Sequence, residues 1–346
     1  MSTKVHDIRS ISLHELNKFV VNNNFPKYRS SQIFNWINKS SVKSFDDMTN
    51  LPKSLIELLK VNFRLNFSKI SSKQISVDST MKFAIKLHDK LIVESVLIPS
   101  GDRVTACVSS QVGCSLDCEF CATSKLSRMR NLESYEIFDQ IMLMNKQSIE
   151  NYTHAISNIV FMGMGEPLLN YNNVINSINL ITSDHGIEIS NKKITLSTSG
   201  ISKMIIKMAD DNVKFNLAIS LHSAIESTRN KIMPFSKSFP LSQLIKSLEY
   251  WYKKTKRKVT FEYLIWNGIN DDFEHINALV KICKRVPSKV NLIEYNSIDD
   301  PRFSKADELW VNNYLNILKE NKVSASIRRS RGKDIQAACG QLANKH

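Results

Sequence analysis

Three cysteines within eight residues constrain this chain more than any other feature of its sequence. Cys114, Cys118 and Cys121 form the pattern C-x3-C-x2-C, which fits on one short loop where three thiolates can converge on a single inorganic centre. Zinc is a competitor, but a structural zinc site is closed by four protein ligands, and no histidine lies in or close beside this loop. A four-iron cluster held by three cysteines would keep one iron open for a small molecule. Three unpaired structural cysteines are disfavoured because Asp117 and Glu119 are interleaved with them.

Length and charge limit the kinds of protein this chain can be. With 346 residues it can form one barrel-sized domain and one small extra domain. The formal net charge of +14 indicates a polyanionic partner, nucleic acid ahead of a membrane, although a lysine-rich composition that only aids solubility is the alternative. No stretch approaches the ~20 apolar residues that span a bilayer, and residues 1–10 lack the apolar core of a secretion signal. We therefore expect a cytoplasmic protein with no membrane contact, whose six cysteines are reduced.

The first part of the chain has a helical pattern. Ser12 and Glu15 predict a capping box that opens a first helix. A second helix follows, and a third begins at Pro52. Residues 1–78 are therefore predicted to form a small helical accessory domain. The basic and aromatic residues at 27–29 would suit RNA, although core packing explains the aromatic ones equally well.

A hairpin is predicted within residues 79–100, where the apolar period changes to two, and it links the helical domain to the rest of the chain. Glu94 is out of place in its second strand, because it shares a face with Ile92, Val96 and Ile98. It is either an edge-strand carboxylate that points at solvent or an acid held in a cleft. The sequence alone favours the edge.

Strand-like and helix-like segments then alternate along the chain. The strand candidates are Val104–Ser109, Asn158–Met162, Lys193–Ser197, Phe215–Ser220, Val259–Ile265 and Lys289–Tyr295. Six such repeats predict an α/β fold with a parallel sheet, in the form of a partial (β/α)6 barrel over residues 101–321. Residues 322–346 follow as a C-terminal segment. Barrels of this kind build their sites at the carboxyl ends of the strands, and the cysteine loop follows the first strand.

The loops after later strands carry small and polar residues that suit a ligand. Gly165 lets the backbone approach a ligand, and Glu166 beside it can accept hydrogen bonds from an ammonium group. The hydroxyl-rich loops at 197–200 and 220–223 are each typical of turns or helix caps, but at equivalent barrel positions they suggest ribose and carboxylate contacts. The histidine in the second loop could equally be a satisfied residue at a helix start. Asn296 offers an amide that could read an adenine.

The last informative segment is strongly cationic. Arg328, Arg329, Arg331 and Lys333 lie within six residues and form a candidate phosphate-binding patch, although such stretches usually mark only a solvated surface. The patch is followed by Cys339, which lies between small residues that leave its thiol reachable.

Taken together, these motifs resemble one family. The cysteine loop is similar to that of radical S-adenosylmethionine (SAM) enzymes. The run from Cys107 to Cys114, the Gly-Met-Gly-Glu-Pro loop, the two hydroxyl-rich loops and the ending Arg-Gly-Lys-Asp-Ile-Gln-Ala-Ala-Cys-Gly-Gln-Leu resemble, in order, the RlmN family of dual-specificity RNA (adenine carbon-2) methyltransferases. The likeness runs from the N-terminal helices to the tail. Residues 297–305 depart from it, because they are compact and acidic where many members have a longer Gly/Pro-rich loop.

The resemblance implies a radical SAM barrel that binds one [4Fe-4S] cluster and uses two SAM molecules per turnover. It assigns the cluster to Cys114, Cys118 and Cys121. It assigns the SAM contacts to Gly165, Glu166, Ser197, Ser220, Leu221, His222 and Asn296.

The resemblance also implies catalytic roles. Cys339 accepts a methyl group from one SAM, and a second SAM is cleaved reductively to a 5′-deoxyadenosyl radical that takes a hydrogen from this methyl group. The methylene radical then adds to carbon 2 of an adenine and leaves a covalent protein–RNA intermediate. Glu94 is the base that removes the ring proton, and Cys107 is the thiol that releases the product. A small buried strand residue is the alternative for Cys107, and Cys283 is assigned to packing.

The implied substrates are an adenosine at the peptidyl-transferase centre of 23S ribosomal RNA and one beside the anticodon of transfer RNA. The other implied partner is an external low-potential electron donor, and we expect a monomer. A Cfr-type enzyme, which modifies carbon 8 of the same ribosomal adenosine, is the first alternative. A non-catalytic iron–sulfur RNA-binding protein is the second, and it would need the cluster but not Cys107, Cys339 or Glu94.

Overall fold

The structure, a computed structural model, describes residues 6–38 and 42–344, so the expectation about a secretion signal falls partly outside it, at residues 1–5. Its strands are β1 (His6–Asp7), β2 (Phe63–Arg64), β3 (Lys69–Ile75), β4 (Met81–Lys86), β5 (Ile92–Ser100), β6 (Arg103–Cys107), β7 (Gln111–Val112), β8 (Arg130–Asn131), β9 (Asn158–Phe161), β10 (Ile194–Thr198), β11 (Asn216–Ser220), β12 (Val259–Ile265), β13 (Ser288–Glu294) and β14 (Ser324–Arg328). Its α-helices are α1 (Leu13–Asn22), α2 (Tyr28–Asn38), α3 (Lys53–Asn62), α4 (Ser134–Tyr152), α5 (Tyr171–Thr182), α6 (Ser202–Asp210), α7 (Glu226–Ile232), α8 (Leu241–Thr255), α9 (Phe273–Arg285) and α10 (Glu308–Glu320). None of these helices is both long and apolar enough to cross a membrane.

The three N-terminal helices pack around a core of their own. The predicted capping box opens α1: the Ser12 hydroxyl accepts from the Glu15 N–H at 3.2 Å, and the Glu15 carboxylate accepts from the Ser12 N–H at 2.7 Å. The buried apolar faces meet in a cluster that includes Leu16, Ile33 and Leu55. Tyr28 is exposed and lies 4.9 Å from the Arg29 guanidinium, so core packing does not account for this aromatic residue.

The predicted hairpin forms from β4 and β5, and it belongs to the main sheet. β3 pairs with the outer side of β4, and β6 pairs with β5, all in antiparallel fashion. β3 lies inside the range 1–78, where only helices were expected; its mostly exposed, polar residues suit the edge position that it occupies. β5 is an interior strand because it pairs with β4 on one side and with β6 on the other. The edge interpretation of Glu94 is therefore wrong, since Glu94 is 0% exposed.

The ten strands of the main sheet lie in the order β14-β13-β12-β11-β10-β9-β6-β5-β4-β3. All neighbours from β6 to β14 are parallel. The six predicted strands are all present and are linked by helices, which confirms the α/β fold with a partial barrel. β14 is a further parallel strand, inside the segment 322–346, and its sequence of Ser, Ala, Ser, Ile and Arg carries little apolar signal.

The interior strands are apolar on both faces because helices or further loops cover both sides of the sheet. β12 reads Val-Thr-Phe-Glu-Tyr-Leu-Ile, and all of its residues except Thr260 are buried. Glu262 is the one acid in this strand and is only 4% exposed. A buried carboxylate in such a strand marks the position of a polar site.

Candidate active site

Two adjoining cavities open at the carboxyl ends of the parallel strands. The first, here the loop cavity, is lined by the cysteine loop and by residues that follow β9, β10, β11 and β13. The second, here the tail cavity, is lined by β6 and by residues 328–331 and 337–342. Their walls share Cys121, Thr123, Met162, Gly163, Ile293, Arg328, Cys339 and Gly340. The structure thus brings the cysteine loop and the C-terminal segment together.

The cysteine loop is fixed against the end of α7. The Glu119 N–H donates to the Ile232 carbonyl at 3.0 Å, and the Asp117 carboxylate accepts from the Phe235 N–H at 2.8 Å. The acidic residues interleaved with the cysteines therefore help to hold the loop in place.

All three thiols of the loop line the loop cavity. Burial raises the pKa of Cys114 to about 11 and the pKa of Cys118 well above its usual value, and it also raises the pKa of Cys121. The mutual repulsion of the thiolates adds to these shifts. No group of three or more His, Cys, Asp or Glu side chains in residues 6–38 and 42–344 is arranged around one metal ion. In an iron–sulfur cluster each thiolate binds a different iron, and one buried and two partly buried thiols that share one cavity fit such a cationic centre.

Gly165 and Glu166 line the loop cavity on its β9 side. The buried Glu166 carboxylate accepts from the Leu168 N–H at 3.0 Å and from the Ser199 N–H at 2.8 Å, and the side chains of Thr198 and Ser199 also hydrogen-bond to it. Burial raises the pKa of Glu166, and these backbone hydrogen bonds oppose the rise. Gly165 has φ +91°, and a Cβ atom there would lie 2.5 Å from the side chain of Gln111. The glycine is required for this close approach.

The hydroxyl-rich loops meet on neighbouring strands. Ser197 and Ser220 both line the loop cavity, with their hydroxyl oxygens 3.5 Å apart. Leu221, also predicted to contact SAM, is 0% exposed, and its side chain packs in the main apolar core. The next side chain along the chain, His222, faces the cavity instead. The structure therefore does not place the Leu221 side chain on the cavity wall.

His222 is a wall residue whose hydrogen bonding is internal. Its Nδ1 accepts from the Leu264 N–H at 3.2 Å, and its ring packs edge-on against Phe120 and Trp266. Burial lowers the pKa of His222 to about 3, so the ring is neutral at physiological pH. These bonds agree with the alternative prediction, a histidine whose hydrogen bonds are satisfied within the protein. The ring nevertheless forms part of the cavity wall.

Two buried acceptor atoms face the loop cavity without a hydrogen-bond partner in the described part of the chain. They are Oδ1 of Asn296 and Oε2 of Glu262. The Asn296 amide group donates at 3.4 Å to the carbonyls of Glu294 and Cys339, and Oε1 of Glu262 accepts from Asn291 at 3.0 Å. An unsatisfied buried acceptor costs about 1–3 kcal/mol. The cavity therefore fits a ligand that donates hydrogen bonds, as the amino groups of SAM do.

Cys107 and Cys339 both line the tail cavity, and Cys339 also lines the loop cavity. Cys339 is exposed, whereas Cys107 is 7% exposed. Burial raises the pKa of Cys107 to about 12; the nearby Cys339 thiolate adds to this rise, and Arg328 opposes it. The two sulfur groups are thus close enough to interact electrostatically. Cys339 lies in the wall between the two cavities and borders both of them.

Arg328 lies in the same wall and links the two cavities. Its Nη1 is 3.9 Å from Oε2 of Glu262 and 3.4 Å from the sulfur of Met162. The sequence placed Arg328 in a phosphate patch and missed Glu262 altogether. The signal that could have identified Glu262 was a single acidic residue in the otherwise apolar strand β12. Glu94 gives the same signal in β5.

Glu94 lines neither cavity but lies beneath the C-terminal segment. Its Oε2 accepts from the backbone N–H groups of Ala343 and Asn344, at 2.7 and 3.1 Å. Its Oε1 is 3.5 Å from the ammonium of Lys82, which is also buried. The acid is therefore held in the interior by two residues that lie four and five positions beyond Cys339 along the chain.

Contacts on both sides of Cys339 fix the C-terminal segment. Asp334 accepts from the Ser76 hydroxyl at 2.5 Å and from the Val77 N–H at 3.1 Å. Beyond the cysteine, the Thr123 hydroxyl donates to the Leu342 carbonyl at 2.6 Å. The Cys339 thiol is presented on a loop that is tied to the turn between β3 and β4 at one end and to Thr123, just after the cysteine loop, at the other.

Comparisons with known proteins identify this arrangement. Residues 108–280 match the model of the radical SAM superfamily, and residues 6–65 match that of the ribosomal RNA large subunit methyltransferase N-terminal domain. The chain is 58% identical to the probable dual-specificity RNA methyltransferase RlmN of Flavobacterium johnsoniae, over 100% of this chain and 99% of that protein. It is 40% identical to the protein of the same description from Salinibacter ruber, over 98% of this chain and 94% of that one.

A solved structure agrees with the sequence relatives. The crystal structure of a radical SAM methyltransferase from Sphaerobacter thermophilus superposes with a TM-score of 0.91 at 32% identity, over 98% of this chain and 100% of that chain. The N-terminal helices, the partial barrel and the C-terminal segment are all within this likeness. The chain therefore belongs to the RlmN family of radical SAM methyltransferases.

Proposed function

We propose that this enzyme methylates carbon 2 of an adenosine in 23S ribosomal RNA, at the peptidyl-transferase centre, and of an adenosine beside the anticodon in transfer RNA. The observation that carries the proposal is the position of Cys339. One exposed thiol borders the cavity that fits the cofactors and the cavity that contains a second thiol, Cys107. A group carried by Cys339 can therefore be received on one side and delivered on the other.

The loop cavity serves the cofactors in this proposal. Cys114, Cys118 and Cys121 hold one [4Fe-4S] cluster, and Gly165, Glu166, Ser197, Ser220, His222 and Asn296 hold SAM. Together the cluster and SAM supply a methyl group and the one-electron chemistry that activates it, with two SAM molecules used per turnover. The orphaned Asn296 oxygen and the Glu166 carboxylate accept hydrogen bonds from amino groups of SAM.

Cys339 is the nucleophile that takes the methyl group and then forms the covalent link to RNA. Its exposure supports this role, because a thiol that reacts with both a cofactor and a polynucleotide has to be reachable. The Cys107 thiolate attacks the sulfur of Cys339 and breaks its bond to the methylene carbon. That carbon keeps the electron pair and takes up a proton to become the methyl group of the product, and a disulfide remains between the two cysteines. The thiolate of Cys107 is the attacking species, and its formation is opposed by burial.

Glu94 takes the proton from the ring carbon. In the structure its carboxylate accepts from Ala343 and Asn344, so the role requires these two residues to move aside when RNA enters the tail cavity. Lys82 lies 3.5 Å from the Glu94 carboxylate and remains beside it during this movement.

The tail cavity has the charge that an RNA backbone requires. Arg103, Arg329 and Arg331 line it, and each can donate to phosphate oxygens. Both cavities are built by one chain, which supports a monomer as the working unit. The electron comes from an external low-potential donor, and the enzyme acts in the cytoplasm, where its RNA substrates are.

Mass spectrometry of digested ribosomal and transfer RNA tests the proposal. The RNA is taken from a strain that lacks the modification and incubated with reconstituted enzyme, SAM and a low-potential reductant. We expect new 2-methyladenosine, which Cys339→Ala abolishes. Cys283→Ala is the matched control, because Cys283 is a buried packing residue of α9 and should leave the product unchanged.

The other products separate the alternatives. If 8-methyladenosine appears, the roles of the cysteines stand and the Cfr-type chemistry replaces the carbon-2 assignment. If no methylated adenosine forms although the iron content is complete and RNA binds, the non-catalytic RNA-binding protein is correct.

A further inference from the structure

Arg229 is a cation buried in the protein without an acidic partner. It lies on α7 and is 1% exposed. Its Nη2 donates to the carbonyls of Ser199, at 2.7 Å, and Ser220, at 3.5 Å, whereas its Nε has no hydrogen-bond partner among the described residues. Burial lowers the pKa of Arg229 to about 10, so the group stays charged at physiological pH.

The other buried cations of the described chain are paired with carboxylates. Arg9 lies 2.5 Å from Asp139, and Lys82 lies 3.5 Å from Glu94. No carboxylate of residues 6–38 or 42–344 forms an ion pair with Arg229 within 4.0 Å. The charge of Glu226, on the same helix, raises the pKa of Arg229, but this carboxylate forms no ion pair with it within 4.0 Å and accepts from the Leu241 N–H with both oxygens, at 3.1 and 2.9 Å.

A buried charge without a partner is strongly unfavourable, so the folded protein should supply an anion to it. The cysteine loop is the candidate, because Cys118 packs in the apolar cluster that contains Ile232 and Met233, at the end of α7. The two carbonyls to which Arg229 donates belong to Ser199 and Ser220, and both of these residues line the same cavity as Cys118.

We propose that Arg229 is the counter-cation of the iron–sulfur cluster, which it serves by stabilising the cysteine thiolates and the additional electron of the reduced state. The inference rests on the proposed cluster. Fixed by the Ser199 and Ser220 carbonyls, the guanidinium cannot turn away from the site. The potential of an iron–sulfur centre depends on the charges around it, so this positioning residue raises the reduction potential and makes reduction by the external donor easier.

An EPR-monitored redox titration of the reconstituted enzyme without SAM or RNA tests the proposal. Arg229→Met removes the charge and keeps a similar length, whereas Arg229→Lys keeps the charge. We expect a lower midpoint potential in R229M and a potential closer to that of the parent in R229K. Arg285→Met is the control, because Arg285 is exposed and pairs with Glu249 on the surface, and its potential should not change.

Thermal unfolding of the apo-proteins distinguishes this role from a purely structural one. If the role of the Arg229 charge is to compensate the cluster, the melting temperature of apo-R229M should be no lower than that of the apo-parent, because the variant removes an unpaired buried cation. A clearly lower melting temperature of apo-R229M would overturn the proposal and make Arg229 a structural link between two loops.

The remaining outcomes of these experiments also support or refute the counter-cation role of Arg229. If R229M folds but fails to retain iron while R229K retains it, the counter-cation role stands. If R229M has the parent's potential, the proposal is wrong, and a weaker affinity for SAM in that variant would assign Arg229 to the carboxylate of SAM. Because no RNA is present, an enzyme that made no methyladenosine would refute the proposed function and leave this test unaffected.

Discussion

The buried pair of Lys82 and Glu94 allows a quantitative prediction for Glu94→Gln. The two side chains are 5% and 1% exposed, lie 3.5 Å apart and belong to neighbouring strands of the sheet. The amide can still accept from Ala343 and Asn344, so the main loss is the anion beside Lys82. Removing one partner of a buried ion pair costs about 3–5 kcal/mol. We expect E94Q to lower the free energy of unfolding by that amount.

A double-mutant cycle isolates the reason for this loss. Lys82→Met removes the cation and keeps an apolar stem of similar length. Replacing both partners of a buried pair is often neutral, so the double variant K82M/E94Q should lose no more than about 2 kcal/mol, less than E94Q alone. The measurement is urea unfolding of the apo-proteins, in which the effects of the two single variants and the double variant are compared.

The outcome of the cycle can contradict the reasoning in two ways. A loss below about 1 kcal/mol for E94Q would mean that the Lys82 charge reaches water and is not a buried partner. Additive effects of the two substitutions would mean that the ammonium and the carboxylate are not coupled, and that Glu94 is held only by the C-terminal segment.

Four further predictions follow from the site. Cys339→Ala should abolish methylation while the iron content and SAM binding, measured by calorimetry, remain at the level of the parent. Cys107→Ala should accumulate a covalent enzyme–RNA adduct on denaturing gels, because the thiol that releases the product is absent. In the parent, the pKa of Cys107 is raised to about 12, so the thiolate fraction of Cys107 increases as pH rises. Decay of the adduct should therefore accelerate by up to about tenfold per pH unit between pH 6 and 9. A decay rate that does not change with pH would contradict thiolate attack. Gly165→Ala places a Cβ atom 2.5 Å from the Gln111 side chain at a φ of +91°, which costs about 1–3 kcal/mol of strain. The affinity for SAM should therefore fall at least fivefold. An unchanged affinity, measured by calorimetry, would show that the loop adapts.

Much of the fold and of the site could be predicted because motifs mark the ends of strands. The apolar strands β9 to β13 and the loops with Gly165 and Ser197 are local features, and their position at one edge of the sheet follows from the parallel topology. The place of Glu94 could not be predicted in this way. β5 is an interior strand because it pairs with β6 as well as with β4, and the local sequence pattern does not show which strands pair.

Arg229 and Leu221 show the same limit at the level of single side chains. Arg229 belongs to a short, polar helical sequence, and only the packing of α7 against the cysteine loop shows that it is buried. Leu221 lies within a recognisable motif, but the turn at His222, with φ +55°, decides which side chain of that motif faces the cavity. Such facts depend on tertiary contacts between segments that are distant in the sequence.

The division of the site between two cavities has a consequence for protein engineering. The loop cavity is built from the repeating barrel, whereas the tail cavity is built mostly from additions to it: the segment from Ile98 to Arg103, the strand β14 and the residues up to Leu342. Substrate choice can therefore be redesigned in these additions while the cofactor half is left intact. Libraries restricted to the tail-cavity residues that do not also line the loop cavity, with Cys107 kept fixed, are the rational starting point for enzymes that modify other nucleobases.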